Sequence, residues 1–123
     1  MSSQPDIHVL EHPISKALLE SLVRDGFVDM VKYVVDLERE AIAIGGQLHA
    51  DAEAVLLESG SRQENLWGAN YYPGTSEAAC IEFTSLINIR PAQANPGMEI
   101  ASAEIRDRVR ELTYRLIGRG GAL

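Results

Sequence analysis

The stretch MVKYVVDLEREAIAIGG, residues 30–46, decides the fold. From Val31 to Leu37, every second residue is apolar, which is typical of a strand with one buried face. Arg39 and Glu40 interrupt this pattern, and the apolar run resumes at 41–44 before two glycines. Two such runs joined by a short polar turn predict a β-hairpin. The turn lacks the Asn-Gly pair that would define the register, so the register stays open.

Before the hairpin, the chain predicts a short strand and a helix. Residues 7–10 (IHVL) form a β-like run that ends at His12-Pro13. Ser15 is a favourable N-cap, apolar residues then fall on one helical face, and Gly26 suits the end of a helix. A helix is therefore predicted over 16–24.

After the hairpin, two more helices and two more strands are predicted. Asp51 can cap a short helix that ends at Glu58. Residues 66–72 indicate a strand, and residues 79–90 indicate the strongest strand of the chain because alternate residues are apolar. Residues 91–100 contain two prolines and a glycine and predict a loop. An apolar stripe at spacings of four, three and four predicts a final helix over 103–117.

These elements follow one another in the order β-α-β-β-α-β-β-α. Strands linked as hairpins form an antiparallel sheet, so we expect an α+β domain with four to five strands. The three helices are expected mainly on one face, in a two-layer sandwich. The length indicates a single domain over 1–123, with 1–6 and 118–123 expected to be flexible.

The charge distribution limits the partners. The net charge is −7, which disfavours binding to nucleic acid, because that binding depends on lysine and arginine. The C-terminal end differs: residues 104–119 carry five arginines against three carboxylates. Arginine stems at the border of a buried face explain this pattern without a partner, and a site for an acidic partner is the weaker alternative.

The single cysteine, Cys80, cannot form an internal disulfide, and no signal segment opens the chain. No apolar run approaches the roughly 20 residues that span a bilayer, so no membrane segment is predicted. We therefore predict a cytoplasmic protein.

Several segments resemble a family of prokaryotic proteins, a domain of about this length with no assigned activity. The resemblance is carried by Gly45–Asp51, Gly60–Gln63, Leu66–Tyr71 and Ile87–Pro91. It extends over nearly the whole chain and is clearest from Met30 to Pro91. It implies no catalytic or binding residues.

The central stretch, residues 45–70, is where we expect a site, because glycines and polar side chains crowd there. On a strand, His49, Asp51 and Glu53 would project together as metal ligands. If Asp51 begins a helix, that alignment is lost and Asp51 is a cap. The capping interpretation is favoured, because His-x-Asp alone is a weak metal pattern. We predict no metal and no cofactor.

A second set of candidates comes from the predicted sheet face away from the core. Arginine beside carboxamides can hold an anion, and tryptophan can stack on a ring or a guanidinium. The alternatives are a solvated sheet face and a protein interface. The candidates are Arg62, Trp67, Asn70, Glu82, Asn88 and Arg90.

No common catalytic motif occurs in the chain. We therefore predict a binding or interaction module without catalysis, which uses an open sheet face and the central stretch. Its expected partner is a second copy of the chain or another protein. The alternative is a small anionic ligand, or a minor hydrolase activity, at His49, Asp51, Arg62, Asn88 and Arg90.

Overall fold

A computed structural model describes residues 6–123, and the secondary structure follows the predicted order. The elements are β1 (Ile7–Leu10), α1 (Lys16–Asp25), β2 (Val31–Asp36), β3 (Ala41–Gly45), α2 (His49–Glu58), β4 (Leu66–Tyr71), β5 (Ile81–Glu82) and α3 (Ala103–Leu116). Five strands form one antiparallel sheet beside three helices, which confirms the α+β class. Of the segment 1–6 that is predicted to be flexible, only Asp6 belongs to the described residues.

The strands lie in the order β1-β3-β2-β4-β5. The predicted hairpin forms β2 and β3, with Tyr33 opposite Ile44 and Val34 opposite Ala43. On the other side of β2, Gly68 of β4 lies opposite Val34. Because side chains alternate across a sheet, Tyr33 and Ile44 point to a first face, whereas Val34 and Ala43 point to a second.

The first face carries the larger core, beneath α1 and α3. Tyr33 and Trp67 are buried there, and α1 adds Leu19 and Val23. The apolar stripe of α3 contributes Val109, Leu112 and Leu116. Burying a large apolar side chain contributes roughly 1.5–3 kcal/mol, so packing on the sheet stabilises these two helices more than helix propensity does.

Helix α2 packs on the second face, where Ala52 and Leu56 contact Val34, Ala43 and Leu66. This face, which the sequence analysis expects to be open, is therefore covered over its centre. The sequences of the strands already indicate that this face is covered, because both β2 and β3 carry apolar residues on both sides. Such near-continuous apolar runs are typical of strands that are buried on both faces.

The prediction of a long strand over 79–90 is wrong. Only Ile81–Glu82 pairs with β4, and the chain then forms 3-10 turns at Leu86–Asn88 and Pro91–Gln93. The Ser85 hydroxyl accepts a hydrogen bond from the Ile87 amide at 3.3 Å and caps the first turn. Such a side-chain bond to the backbone competes with strand pairing and ends the strand here.

The predicted start of α2 at Asp51 is also wrong. The helix begins at His49, and its N-cap residue, Leu48, makes no side-chain capping bond. Asp51 lies within the first turn, where its negative charge is favourable beside the helix N-terminus. The predicted cap of α1 is confirmed, because the Ser15 hydroxyl accepts from the Leu18 amide at 3.1 Å.

The C-terminal residues, which are predicted to be loose, make several hydrogen bonds. The Gly121 amide donates to the Thr75 carbonyl at 2.8 Å, and the Gly120 amide donates to the Tyr71 hydroxyl at 2.9 Å.

Within residues 6–123, no helix combines the length and the apolar character that crossing a bilayer requires.

Candidate functional site

His49 is buried at the start of α2, over β4. Its Nε2 lies 2.8 Å from the Ala69 carbonyl oxygen, and Nε2 is the donor because a carbonyl can only accept. Burial lowers the pKa of His49 and nearby Lys32 lowers it further, while the Ala69 carbonyl, Asn70 and Glu82 oppose this shift. The imidazole is therefore neutral at pH 7 and carries its proton on Nε2.

Asn70 and Glu82 lie beside His49 at the uncovered end of the second face. They are opposite one another in the β4–β5 pair, and Asn70 Nδ2 donates to Glu82 Oε1 at 2.8 Å. Asn70 is buried, and no described residue donates to its Oδ1. The structure thus brings together three of the eight predicted site residues, which we call the polar cluster (His49, Asn70 and Glu82).

Gly68 lets two segments approach β4 closely. A Cβ atom at this position would lie 2.7 Å from both Cβ and Oγ of Ser85, and 3.2 Å from Cδ2 of His49. These contacts are shorter than van der Waals separations, so a larger residue requires the segment around Ser85 to move. Gly68 is therefore a packing residue.

Asn88 and Arg90 close the edge of β4 that β5 leaves unpaired. The Gly68 amide donates to Asn88 Oδ1 at 2.9 Å, and Asn88 Nδ2 donates to the Gly68 carbonyl at 3.0 Å. Arg90 donates to the carbonyls of Leu66 and Gln63, and its guanidinium carbon lies 4.2 Å from the centroid of the Trp67 ring.

This arrangement corrects the predicted position of these residues. Asn88 is fully buried and lies in a 3-10 turn rather than in a strand. Trp67 belongs to the core of the first face rather than to an open surface. Burial lowers the pKa of Arg90, which Glu53 partly offsets. Three of the predicted binding residues therefore bind the backbone and the core of the chain itself.

Asn95 holds the loop that carries Asn88 and Arg90. Its Nδ2 lies within hydrogen-bond distance of three carbonyl oxygens, at 2.8 Å from Asn88, 3.1 Å from Gly97 and 3.0 Å from Glu99. Its Oδ1 accepts from the Ala101 amide at 2.9 Å. One carboxamide thus satisfies backbone groups along the loop from 88 to 101, where no regular ladder could do so.

The remaining two predicted residues, Asp51 and Arg62, do not join either group. Asp51 lies partly exposed on α2, and Arg62 is exposed before β4, with no hydrogen bond from its side chain to another described residue. The five residues proposed for an anion site or a hydrolase therefore do not converge. Among residues 6–123, no group of three His, Cys, Asp or Glu side chains is placed to hold a metal ion.

Ser61 and Cys80, two side chains whose chemistry could provide a nucleophile, also have partners within the chain. The Ser61 hydroxyl donates to Asp36 Oδ2 at 2.6 Å. The Cys80 thiol is buried, burial raises its pKa, and its Sγ lies 3.4 Å from the Glu77 carbonyl oxygen. A thiol that is held protonated in this way is a poor nucleophile.

The arginines near the C-terminus make contacts within the chain. Arg115 Nη2 lies 2.6 Å from Glu40, and Arg119 Nη1 lies 2.8 Å from Glu77. Arg108 donates to the Leu37 carbonyl at 3.1 Å. These contacts support the interpretation that the arginines border a buried face.

A cleft of about 250 Å³ opens at the end of the sheet where β2 begins and β3 ends. We call it the basal cleft. One wall is the last turn of α1 with Leu22 and Asp25, and the opposite wall is the turn Gly45–Gln47. Asp6, Ser21, Gly26, Phe27 and Val31 complete the lining. Gly45 and Gly46 have φ angles of 111° and 84°, which other residues rarely adopt, so this wall requires glycine.

Exposed apolar side chains lie in the lining of the basal cleft or directly follow it in the sequence. Phe27 in the lining is 38% exposed, and its neighbour Val28 is 75% exposed. Leu48, which follows Gln47 of the opposite wall, is 59% exposed. Val28 also has a φ of 74°, a strained conformation for a β-branched residue.

Only one side of this cleft is predicted from the sequence, because Gly45–Gln47 belong to the central stretch. Asp25, Phe27 and Val28 are not among the predicted residues. A signal was available: turns are usually polar, and Gly26-Phe27-Val28 places an aromatic and a β-branched residue in one. None of the eight predicted site residues lines the cleft.

The fold and the site define an α+β protein with a five-stranded antiparallel sheet covered by helices on both faces and a cleft at one end. The chain belongs to the family described as "Protein of unknown function (DUF5674)", whose model matches residues 8–116. The resemblance noted in the sequence is thereby confirmed. Neither curated proteins nor solved structures give a match.

Proposed function

We propose that this protein is a binding module without catalysis, and that its ligand places an apolar group in the basal cleft. The observation that carries the proposal is the coincidence of a cleft of about 250 Å³ with the exposed side chains of Phe27, Val28 and Leu48. Apolar residues rarely gather on a surface without a binding role, and an apolar cavity of roughly 150 Å³ already accommodates benzene.

The strained conformation of Val28 supports the same site. A non-glycine residue in this conformation costs roughly 1–3 kcal/mol, and such residues concentrate where a protein binds a ligand. Val28 is largely exposed, so little burial within the chain offsets that cost.

The side chains that could act in catalysis are bound within the chain, which supports binding without catalysis. The His49 Nε2, the Ser61 hydroxyl and the Cys80 thiol all face partners within the chain, at Ala69, Asp36 and Glu77 respectively. The cleft is walled instead by apolar side chains, glycines, two carboxylates, the Ser21 hydroxyl and the Gln47 carboxamide.

We infer a cytoplasmic location from the lone cysteine, which can form no internal disulfide. That the partner is a second copy of the chain or another protein stays a prediction. Native mass spectrometry before and after denaturation would report the number of subunits and any mass retained in the cleft.

The direct test is an NMR titration of the ¹⁵N-labelled protein with 2-phenylethanol, a neutral probe. We expect saturable shifts at the amides of Gly45, Gly46 and Phe27. Ser21→Phe should abolish them, because the new ring occupies the cleft from α1.

The matched control is Ala17→Phe, which adds the same ring at an exposed position of α1 outside the cleft and should leave the titration unchanged. Absence of saturable shifts in the wild type, or equal shifts in the Ser21→Phe variant, would refute the proposal.

A further inference from the structure

The charged residues that line the basal cleft are all acidic. Asp6 and Asp25 line it, and no described lining residue is basic. Both carboxylates have exposed side chains, with relative exposures of 85% and 68%. They are therefore charged groups that a ligand can reach.

The backbone adds to the negative potential of these two carboxylates. Helix α1 ends at Asp25, and its last turn forms one wall of the cleft. The C-terminus of a helix carries the negative end of the helix dipole, and it favours cations within its last turn. The net charge of −7 acts in the same direction over longer distances.

Arg24 and Lys32 lie near the lining and weaken the negative potential without cancelling it, and His8 Nε2 lies 4.0 Å from Asp6 Oδ2. Arg24 Nε lies 3.3 Å from Asp25 Oδ1, but both side chains are exposed, and exposed ion pairs of this kind are weak. Lys32 Nζ lies 5.2 Å from the centroid of the Phe27 ring, within the range of a cation–π contact. The Phe27 ring is thus already placed beside a positive charge.

We propose that the basal cleft binds a small organic cation, with its apolar body against Leu22, Phe27 and Val31 and its ammonium or guanidinium group towards Asp25 and Asp6. This inference rests on the proposed function and names the chemical class of the ligand. The apolar walls supply contact area, and the carboxylates and the helix end select the charge.

The test compares three probes that share one apolar body: 2-phenylethylammonium, 2-phenylethanol and phenylacetate. Dissociation constants come from the NMR shifts at Gly45 and Phe27 at low salt. We expect the ammonium to bind roughly five- to thirtyfold more tightly than the alcohol, because two exposed carboxylates and a helix end each contribute modestly. The preference should shrink in 0.5 M salt, where screening is strong.

Asp25→Asn should reduce the preference for the ammonium by roughly two- to fivefold while leaving the affinity for the alcohol unchanged. Asp107→Asn is the matched control, because it changes the net charge equally but lies on α3, away from the cleft. It should leave the preference unchanged.

The outcomes separate the two proposals. If the alcohol or phenylacetate binds in the cleft at least as tightly as the ammonium, the inference of a cation fails and the binding function stands. If none of the three probes gives saturable shifts at the cleft, the proposed function fails, and the inference fails with it.

Discussion

The carboxamide of Asn88 pairs with the backbone of Gly68 as an opposing strand would, accepting from its amide at 2.9 Å and donating to its carbonyl at 3.0 Å. The same Nδ2 lies 3.1 Å from the Met98 carbonyl oxygen. One side chain thus completes the edge of a strand that β5 is too short to cover. It explains how β4 is satisfied without a sixth strand.

Asn88→Ala should lower the free energy of unfolding by about 2–4 kcal/mol, because it leaves the buried amide and carbonyl of Gly68 without partners. Urea denaturation measures the change. Asn65→Ala is the control, since the side-chain Nδ2 of Asn65 donates to Glu38 Oε1 near the surface at 3.2 Å and its loss should cost under roughly 0.5 kcal/mol. Equal costs for the two variants would show that pairing with Gly68 does not stabilise the edge.

Gly68→Ala should destabilise the protein by about 1–3 kcal/mol, because the added methyl group collides with Ser85. Ser85→Gly removes the colliding atoms, so the double variant should be at least about 1 kcal/mol more stable than the sum of the two single effects predicts. Thermal and urea unfolding of the four proteins form the cycle. Strictly additive effects would mean that Ser85 does not restrict this position.

The stability of the protein should depend on pH through His49. Its pKa is lowered in the folded state from the ordinary 6.5, so below about pH 6.5 the unfolded chain takes up a proton that the folded protein does not. Stability from this group is thus complete above that pH and is lost as the pH falls, by up to about 1.4 kcal/mol per pH unit.

His49→Gln removes the titrating group. The stability difference between wild type and this variant should therefore shrink from pH 7.5 to pH 5. Ala50→Gln, at an exposed position next to His49 on α2, changes no titrating group and is the control, so its difference from the wild type should stay constant. A constant difference for His49→Gln as well would contradict the assignment of a neutral, buried imidazole.

Val28→Gly should raise stability by about 0.5–1 kcal/mol, because glycine adopts a φ of 74° without strain and loses somewhat more chain entropy on folding. The same change should weaken binding of 2-phenylethanol two- to threefold, roughly the loss of one partly exposed apolar contact. Val28→Ala keeps the strain but loses the contact, so it should weaken binding without any gain in stability. A destabilised Val28→Gly variant would show that the valine is held by packing rather than strained.

The elements that the sequence predicts well are those in which one local pattern dominates. The hairpin over 30–46 has two apolar runs separated by a polar turn, and α3 has an uninterrupted apolar stripe that ends at glycines. Both occur within a residue or two of their predicted bounds. The segment 79–90 has the same period as a strand, yet only Ile81–Glu82 pairs with β4. Thr84 bridges to Glu99 instead, and the side chains of Ser85 and Asn88 bond to the backbone. The apolar periodicity of a sequence does not show where side-chain bonds to the backbone replace strand pairing.

The candidate site likewise contains residues that the sequence identifies and residues that only the folded structure brings together. Gly45–Gln47 stand out in the sequence because glycines and polar residues cluster there, but Asp25 and Phe27 lie about twenty positions earlier in an apparently ordinary helix end. They reach the turn only because α1 packs on the first face of the sheet. Conversely, Arg90 and Trp67 resemble a ligand site in sequence, but the partly buried Arg90 guanidinium stacks on the buried Trp67 ring and donates to backbone carbonyls.

The sequence by itself therefore determined the α+β class, the order of the elements and one wall of the cleft, because periodicity, capping residues and turn glycines act over a few neighbouring positions. Only the tertiary structure decided that α2 covers the second face, that Asn88 replaces a strand beside Gly68, and that Phe27 and the turn Gly45–Gln47 line one cleft. Each of these depends on contacts between residues far apart in the chain, whose free energy arises from burial and from hydrogen bonds that no local pattern contains.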